Sequence, residues 1–389
     1  MPDVNNMTFN QLATVLNAIH NQATGSSAAA AIDTYTFVSQ AQTALKTGYD
    51  PVMNAISQVL SRTIFSVRPY SRRFSGLEVT RERYGNHVRK LQALDQPFED
   101  DDRLTLEDGE SIDQYIVKKP GVLQTNYYGQ NVFQKHITIF RDQLDTAFSG
   151  PDEFGRFISM ILSNISDQIE QAKESVERAT VANLIAGVTE VNEDATFHLV
   201  TLYNAFAGTT LTSATVAQPD NWKPFVQWLV GFLGNLMDKM AERSKLYHLN
   251  ITDKAVMRHT PAADRHMYLA SDFVNHMEAS AMADTFHDDY LNVGTYNKVT
   301  FWQDIKTPRS INVDAGYITT AGAVAHSAVQ LSQVVGVIHD REAAMTCTVN
   351  EWQANSPFNA RGGYTNMFWH FTERYLNDFT ENAVVLLLD

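Results

Sequence analysis

The sequence predicts an α+β chain built around one unusually long helix, and three observations lead there. An apolar stripe of helical spacing runs from Phe154 to Leu184 with no proline inside it. The stretch before it, Arg62 to Leu123, is charged, poor in aliphatic side chains and without a helical period. The residues after it mix helical and alternating patterns and close on the apolar run AVVLLL.

Composition sets the limits. Of 389 residues, 44% are hydrophobic and 19% charged, below the ~25% charge of an ordinary soluble protein. Such a chain can bury a sizeable core, which excludes disorder throughout. Length alone suggests about two or three domains. The 44 acids and 30 basic residues leave a net charge of −14, which argues against tight non-specific binding of nucleic acid. Cys347 is the only cysteine, so an internal disulfide and a thiolate zinc cluster are both ruled out. No run of 18 apolar residues occurs, so no membrane-spanning helix is expected. The first basic residue is Lys46, which leaves no signal peptide or basic presequence; the chain is expected to stay where it is made.

Residues 8–22 carry Phe9, Leu12, Val15, Leu16 and Ile19 on one helical face. A small-residue linker starts at Thr24, and a second helix follows Pro51 with Val52, Ile56, Val59 and Leu60. Two short helices bury little by themselves, so they are expected to lie along something else. The next segment carries its charges in blocks. Arg62 to Lys90 holds eight basic residues against two acids, and Leu91 to Tyr115 holds nine acids against Arg103. LEVTRERY and YIVKK have strand composition. The segment reads as a two-armed extended loop without a core of its own. Its charge blocks form either a solvated surface or the complementary halves of a head-to-tail contact between copies. The contact reading singles out Arg72, Arg73, Arg81, Arg83, Arg89 and Lys90 against Asp100, Asp101 and Asp102.

The long helix starts at Gly150-Pro151-Asp152-Glu153, with proline in the first turn and two acids at the positive dipole end. Its spacing persists to Gly187, the expected stop. About 36 residues give roughly 54 Å. Beyond it the sequence predicts a helix over Trp222–Arg243, a strand at YHLNIT from Tyr247, a helix from Asp272 and a strand at KVTFWQDI from Lys298. A hairpin of VVGVIHD with EAAMTCTV follows, then a long strand in MFWHFTERY and a buried one in AVVLLL. There is no internal repeat.

No assembled active site is legible. The phosphate-loop, dinucleotide, nucleophile-elbow and H-E-x-x-H motifs are all missing. No catalytic residue, cofactor or metal site is expected. His259 and His266 are spaced too widely for one helical turn, and the neighbours His287-Asp288-Asp289 point apart. Cys347 reads as a buried inert thiol. Tyr364, Phe368, Trp369, Phe371 and Tyr375 read as core or subunit interface.

The order of parts, with MTFNQL at Met7, RERYGNHVRKLQALDQPFEDD at Arg81, DKAVMRHTPAADRHMY at Asp253 and FNARGGYTNMFWHFTERYLNDFTENAVVLLLD at Phe358, resembles the major capsid proteins of tailed double-stranded DNA phages. These have the Hong Kong 97 fold, and the phrases are similar to the small short-tailed, Picovirinae-type branch. The resemblance covers the whole chain. It implies an N-arm (1–68), an extended E-loop (69–133), a P-domain (134–200) with its spine helix (151–187), an A-domain (201–344) and return strands of the P-domain (345–389). It implies a structural, non-enzymatic protein that self-assembles into pentamers and hexamers of an icosahedral or prolate shell. That shell would enclose double-stranded DNA without sequence-specific binding and without a membrane. A separate scaffolding protein and a portal are the implied partners, with no fused scaffolding segment or appended immunoglobulin-like domain. Assembly in the host bacterial cytoplasm is implied, with the virion capsid as destination. One branch cross-links its subunits; Lys118 and Lys119 are candidates without a matching asparagine. The competing readings are an encapsulin-type compartment shell, an enzyme using His259, His266 and Asp264 in a cleft, and a ring-forming portal or tail adaptor.

Overall fold

The structure, a computed structural model, describes residues 8–26, 31–62, 72–79, 88–95, 98, 101–252, 254, 256–282 and 296–389. Three helices come first: α1 (Phe9–Thr24), α2 (Thr34–Leu45) and α3 (Tyr49–Arg62). The sequence reading had two, with α2 hidden in the supposed linker. What starts α2 is Asp33, whose side chain accepts the Thr36 N–H at 2.8 Å, a cap the small-residue pattern obscured. All three helices bury their apolar faces in one cluster with the first half of the long helix, where Leu16, Phe37, Ile56, Phe154 and Ile158 are fully buried.

Strands β1 (Val88–Ala93) and β2 (Val122–Tyr127) pair antiparallel as the root of the charged arm. Strand β3 (Gln130–Phe140) leads through the short α4 (Arg141–Ala147) into α5, the spine, Pro151–Val191. At 41 residues and ~1.5 Å each it spans about 60 Å. It runs through Gly187 instead of stopping there. A Cβ at that glycine would sit 2.4 Å from the ring of Phe379, so the glycine marks a close approach within the helix and not its end. The helix stops at Asn192, whose side-chain amide donates to the Leu246 carbonyl at 3.0 Å.

Then come β4 (Thr196–His198), α6 (Leu199–Ala207), α7 (Ser213–Val216), α8 (Pro219–Ala241), β5 (Arg265–Ala270), α9 (Ser271–Met282) and β6 (Asn297–Val299). The hairpin β7 (Ile311–Ile318) with β8 (Val324–Leu331) packs on the spine around Ala186, Ala315 and Val329. Strands β9 (Val334–Asp340), β10 (Ala344–Asn355), β11 (Tyr364–Asn377) and β12 (Ala383–Leu387) complete the chain.

Two sheets organise the molecule. One has the order β10-β11-β3, the other β4-β12-β9-β5-β6. The expected hairpin of β9 with β10 does not form, because the two strands belong to different sheets. Every residue of β9 is buried, so it needs strands on both flanks and lies between β12 and β5. The turn at Arg341–Ala343, closed by the Ala343 N–H on the Asp340 carbonyl at 2.9 Å, then sends β10 to β11. Strand β12, grouped with the return strands in the sequence reading, also sits inside the five-stranded sheet, parallel to β4.

Three expected strands are weak or missing. Tyr247–Leu249 is tied only by single bonds, Leu249 N–H to the Phe379 carbonyl (2.7 Å) and Ala383 N–H to the Tyr247 carbonyl (2.8 Å). KVTFWQDI keeps only Lys298 and Val299 in a strand, Asn297–Val299. Tyr115–Lys119 is irregular and exposed; composition makes a strand only where an edge is offered.

Gly187→Ala tests the close approach. Alanine is the better helix former by about 1 kcal/mol, yet its methyl must displace Phe379, at about 1–3 kcal/mol. We expect net destabilisation in urea denaturation; a variant as stable as the parent would show that Phe379 yields freely.

Candidate functional site

The charged segment is fastened to the rest of the chain at Arg72 and at Lys90, both singled out in the sequence, and also at Asp95, which pairs with Arg243 at 2.9 Å and accepts the Met257 N–H at 2.7 Å. Residues 72–79 form a strap over the spine. Phe74 and Leu77 enter the main core, and Phe74 packs on Tyr268 with ring centroids 4.9 Å apart. Gly76 passes over His266 and Tyr268, where a Cβ would lie 3.3 Å from the His266 ring. The Val79 N–H reaches the Thr346 carbonyl at 2.9 Å, which joins the strap to β10.

Arg72 anchors this strap. Its guanidinium pairs with Glu78 at 2.5 Å and Glu170 at 2.6 Å, and also with Glu177. Glu170, Glu174 and Glu177 fall on one face of α5 by their spacing, and Glu174 takes Arg178 at 2.5 Å. On the far side Glu373 accepts from Thr348 at 2.6 Å and lies 3.9 Å from Lys173. Carboxylates outnumber cations here. Burial raises the Glu177 carboxyl to about 7 against the opposing pull of Arg72, and burial likewise raises Glu373. Burial would raise Glu78 too, but its hydrogen bond and charge contact with Arg72 outweigh that and hold it low.

Lys90 on β1 makes the second fastening. Its ammonium meets Asp378 at 2.7 Å, Glu381 at 2.5 Å and Glu342 at 3.0 Å. Asp378 is fully buried. Burial alone would depress the lysine, but Asp378 and Glu381 overcome it and hold it well above the ordinary value. Arg258 adds a contact to Glu381 at 3.1 Å. Arg72 and Lys90 are therefore engaged within their own chain, because buried glutamates and aspartates far off in sequence surround them. The charge blocks alone could not reveal those partners; the i, i+4, i+7 spacing of Glu170, Glu174 and Glu177 was the one available sign.

Arg73 and Arg89 are exposed. Asp101 pairs with nearby Arg103 at 2.7 Å, both half exposed or more, and Asp102 opens a short 3-10 turn to Leu104. Arg81, Arg83 and Asp100 lie outside the described residues, as do His287, Asp288 and Asp289. What the sequence reading missed on this arm is apolar. Phe98, Leu104, Tyr115, Ile116 and Val117 are all largely exposed, Val117 at 79%. Large apolar side chains left this exposed are uncommon on a soluble surface unless a partner covers them.

The histidine cleft does not assemble. His259 and Asp264 line an open cavity of about 720 Å³ together with Arg243, Arg258, Asp340 and Glu381. His266 is not among its walls; it lies under the strap, 5.6 Å from the ring of His339. Among the described residues no group of three His, Cys, Asp or Glu is placed to hold a metal ion.

Two outcomes follow from the fastenings. Because the Glu177 carboxyl binds its proton more tightly folded than unfolded, its contribution is complete below the ordinary glutamate value and is lost as pH rises through about 7. Glu177→Gln should therefore flatten the fall in unfolding free energy between about pH 5 and 8; an unchanged profile would remove this group as the cause. Lys90→Met should cost about 3–5 kcal/mol in urea denaturation by leaving buried Asp378 uncompensated, and a loss below about 1 kcal/mol would show that this lysine is not what holds the turn.

Among solved structures, the chain is similar to one from the capsid of Staphylococcus phage Andhra, with a TM-score of 0.52, 10% identity, 84% of this chain and 87% of that one. A chain in the structure of head fiber and inner core protein gp22 of native bacteriophage P68 gives 0.50 at 9% identity, with 84% and 87% covered. At such identities the likeness speaks for the fold, which is the Hong Kong 97-like capsid fold. No curated protein matches the sequence. Residues 16–387 match the Phi29-like phage major capsid protein family. That match spans nearly the whole chain and takes precedence over the compartment, enzyme and portal readings: the chain belongs to the Phi29-like phage major capsid protein family, a structural protein of the virion shell that assembles with its own copies.

Proposed function

We propose that copies of this chain join into pentamers and hexamers that close an icosahedral or prolate shell around double-stranded DNA. The exposed apolar side chains of the charged arm carry this reading. Its side chains gain about 1.5–3 kcal/mol each on full burial, and their own chain leaves them in water. In this reading residues 69–133 act as the E-loop, reaching over the neighbour's P-domain, and residues 201–344 act as the A-domain that meets its counterparts around the capsomer axis. The helices within 1–68 act as an N-arm folded back on the spine. Arg73, Arg81, Arg83 and Arg89 set register against acids of the next copy, Asp100, Asp101 and Asp102 among them. Arg72 and Lys90 hold the root of the arm.

A separate scaffolding protein and a portal complete the assembly, which takes place in the host bacterial cytoplasm. The net charge of −14 gives packed DNA a weakly adhesive wall and no sequence-specific grip.

The test is expression with the flanking genes, size-exclusion chromatography and negative-stain electron microscopy. The parent should give closed shells or capsomer-sized rings. Reversing Arg81, Arg83 and Arg89 to Glu should abolish them and leave a folded, helical monomer. Normal shells from the triple variant would show that the basic arm is not an essential contact, and a monodisperse parent monomer would overturn the assembly reading itself.

A further inference from the structure

A cavity of about 310 Å³ lies between the root of the charged arm and the three-stranded sheet. Val88 and Tyr127 supply the arm's side of it, and Met345, Cys347 and Leu376 the sheet's. Strand register explains the floor. Met345 stands opposite Leu376 and Cys347 opposite Arg374, and partners across a ladder point to the same side of a sheet. Thr348 and Glu373, one step along the two strands, point the other way and meet Lys173 of the spine. Arm and sheet come together at Gly129, where a Cβ would sit 2.6 Å from the Tyr375 carbonyl, and at Val79, whose N–H reaches Thr346. Both contacts border the cavity.

Its charge runs against that of the chain. Among the described residues Arg341 and Arg374 line the cavity and no Asp or Glu does, although the chain has 44 acids against 30 basic residues. The nearby carboxylates, Asp264, Asp340, Glu342 and Glu381, wall the open cavity of about 720 Å³ instead. Val79, Arg341 and Met345 belong to both cavities and divide them. Arg374 is buried at 7% exposure. Arg341 is exposed and takes part in none of the ion pairs among the described residues.

These features select a ligand. Space of this size holds roughly ten non-hydrogen atoms, at ~30 Å³ for each water-sized group. The apolar walls reject a bare phosphate or a nucleic-acid backbone, which would give up its hydration there for too few donors. A body of carbon atoms suits the walls, and an acidic end suits a guanidinium, best through two parallel hydrogen bonds. An apolar lining with a few convergent polar groups is the usual make-up of a small-molecule site.

We propose that this cavity binds a small amphiphilic anion, its apolar body between Val88, Met345 and Leu376 and its carboxylate on Arg341 at the mouth shared with the outer cavity. Arg374 adds positive potential at the floor. One side of the cavity belongs to the arm and the other to the sheet, so the ligand is a wedge that fixes the arm's root. The site is complete within one chain, and the proposal stands apart from the assembly reading.

Octanoate is the probe, with octylammonium as its charge-reversed twin. Isothermal titration calorimetry of the purified protein should show one octanoate per chain and no saturable heat from octylammonium. Arg341→Gln, at an exposed position, should weaken octanoate about tenfold by removing the charged hydrogen bonds. Val88→Trp, which fills the cavity from a half-buried position, should abolish uptake with circular dichroism unchanged. Amide hydrogen exchange in β1 and β2 should slow when octanoate binds. No saturable heat from octanoate below its micellar concentration, equal binding of octylammonium, or unchanged octanoate affinity in Arg341→Gln would each overturn the proposal. Binding without slower exchange in the two arm strands would place the ligand elsewhere and overturn it as well.

Discussion

The spine helix needs cover along its whole length, and that need arranges everything else. A one-sided helix of 41 residues cannot be buried by its neighbours in sequence. Three N-terminal helices take its first half, the β10-β11-β3 sheet crosses its middle, and the β7–β8 hairpin and the Phe379 turn close on its end. These pieces come from both ends of the chain. The helix is therefore the place where distant segments are forced to meet.

Where cover is polar, charge pairs stand beside neutral hydrogen bonds such as the two between Asn183 and the Gly316 backbone at 2.9 and 2.8 Å. Arg72 in the strap over the spine and Lys90 at the Asp378 turn each hold several carboxylates at once. Such clusters add little net stability compared with apolar packing, but removing one member is costly. Their effect is to define one geometry. An arm proposed to reach a neighbour needs a stiff root more than a stable one.

Much of this was legible in the sequence. The helical stripe from Phe154, the charged arm and the closing strands follow from spacing and composition, which local physics fixes. The spine overran its expected stop because a glycine can end a helix or admit a ring, and only Phe379, distant in sequence, decides which. The β9–β10 hairpin was misjudged because adjacency favours pairing, while the complete burial of Val334–Asp340 required two other partners. At the assembly surface the basic blocks were visible, but which cations face inward depends on Glu177 and Asp378. Tyr364, Phe368, Trp369, Phe371 and Tyr375 were legible only as core or interface, because alternation in MFWHFTERY marks a strand without saying which side is covered.

The position of β12 carries a consequence of timing. It sits between β4 and β9 in the middle of the five-stranded sheet, yet its residues are 383–387. Until they leave the ribosome, β9 has a vacant flank and β4 no partner. That half of the molecule therefore folds only after translation has passed its last strand, and pairings so distant in sequence form slowly.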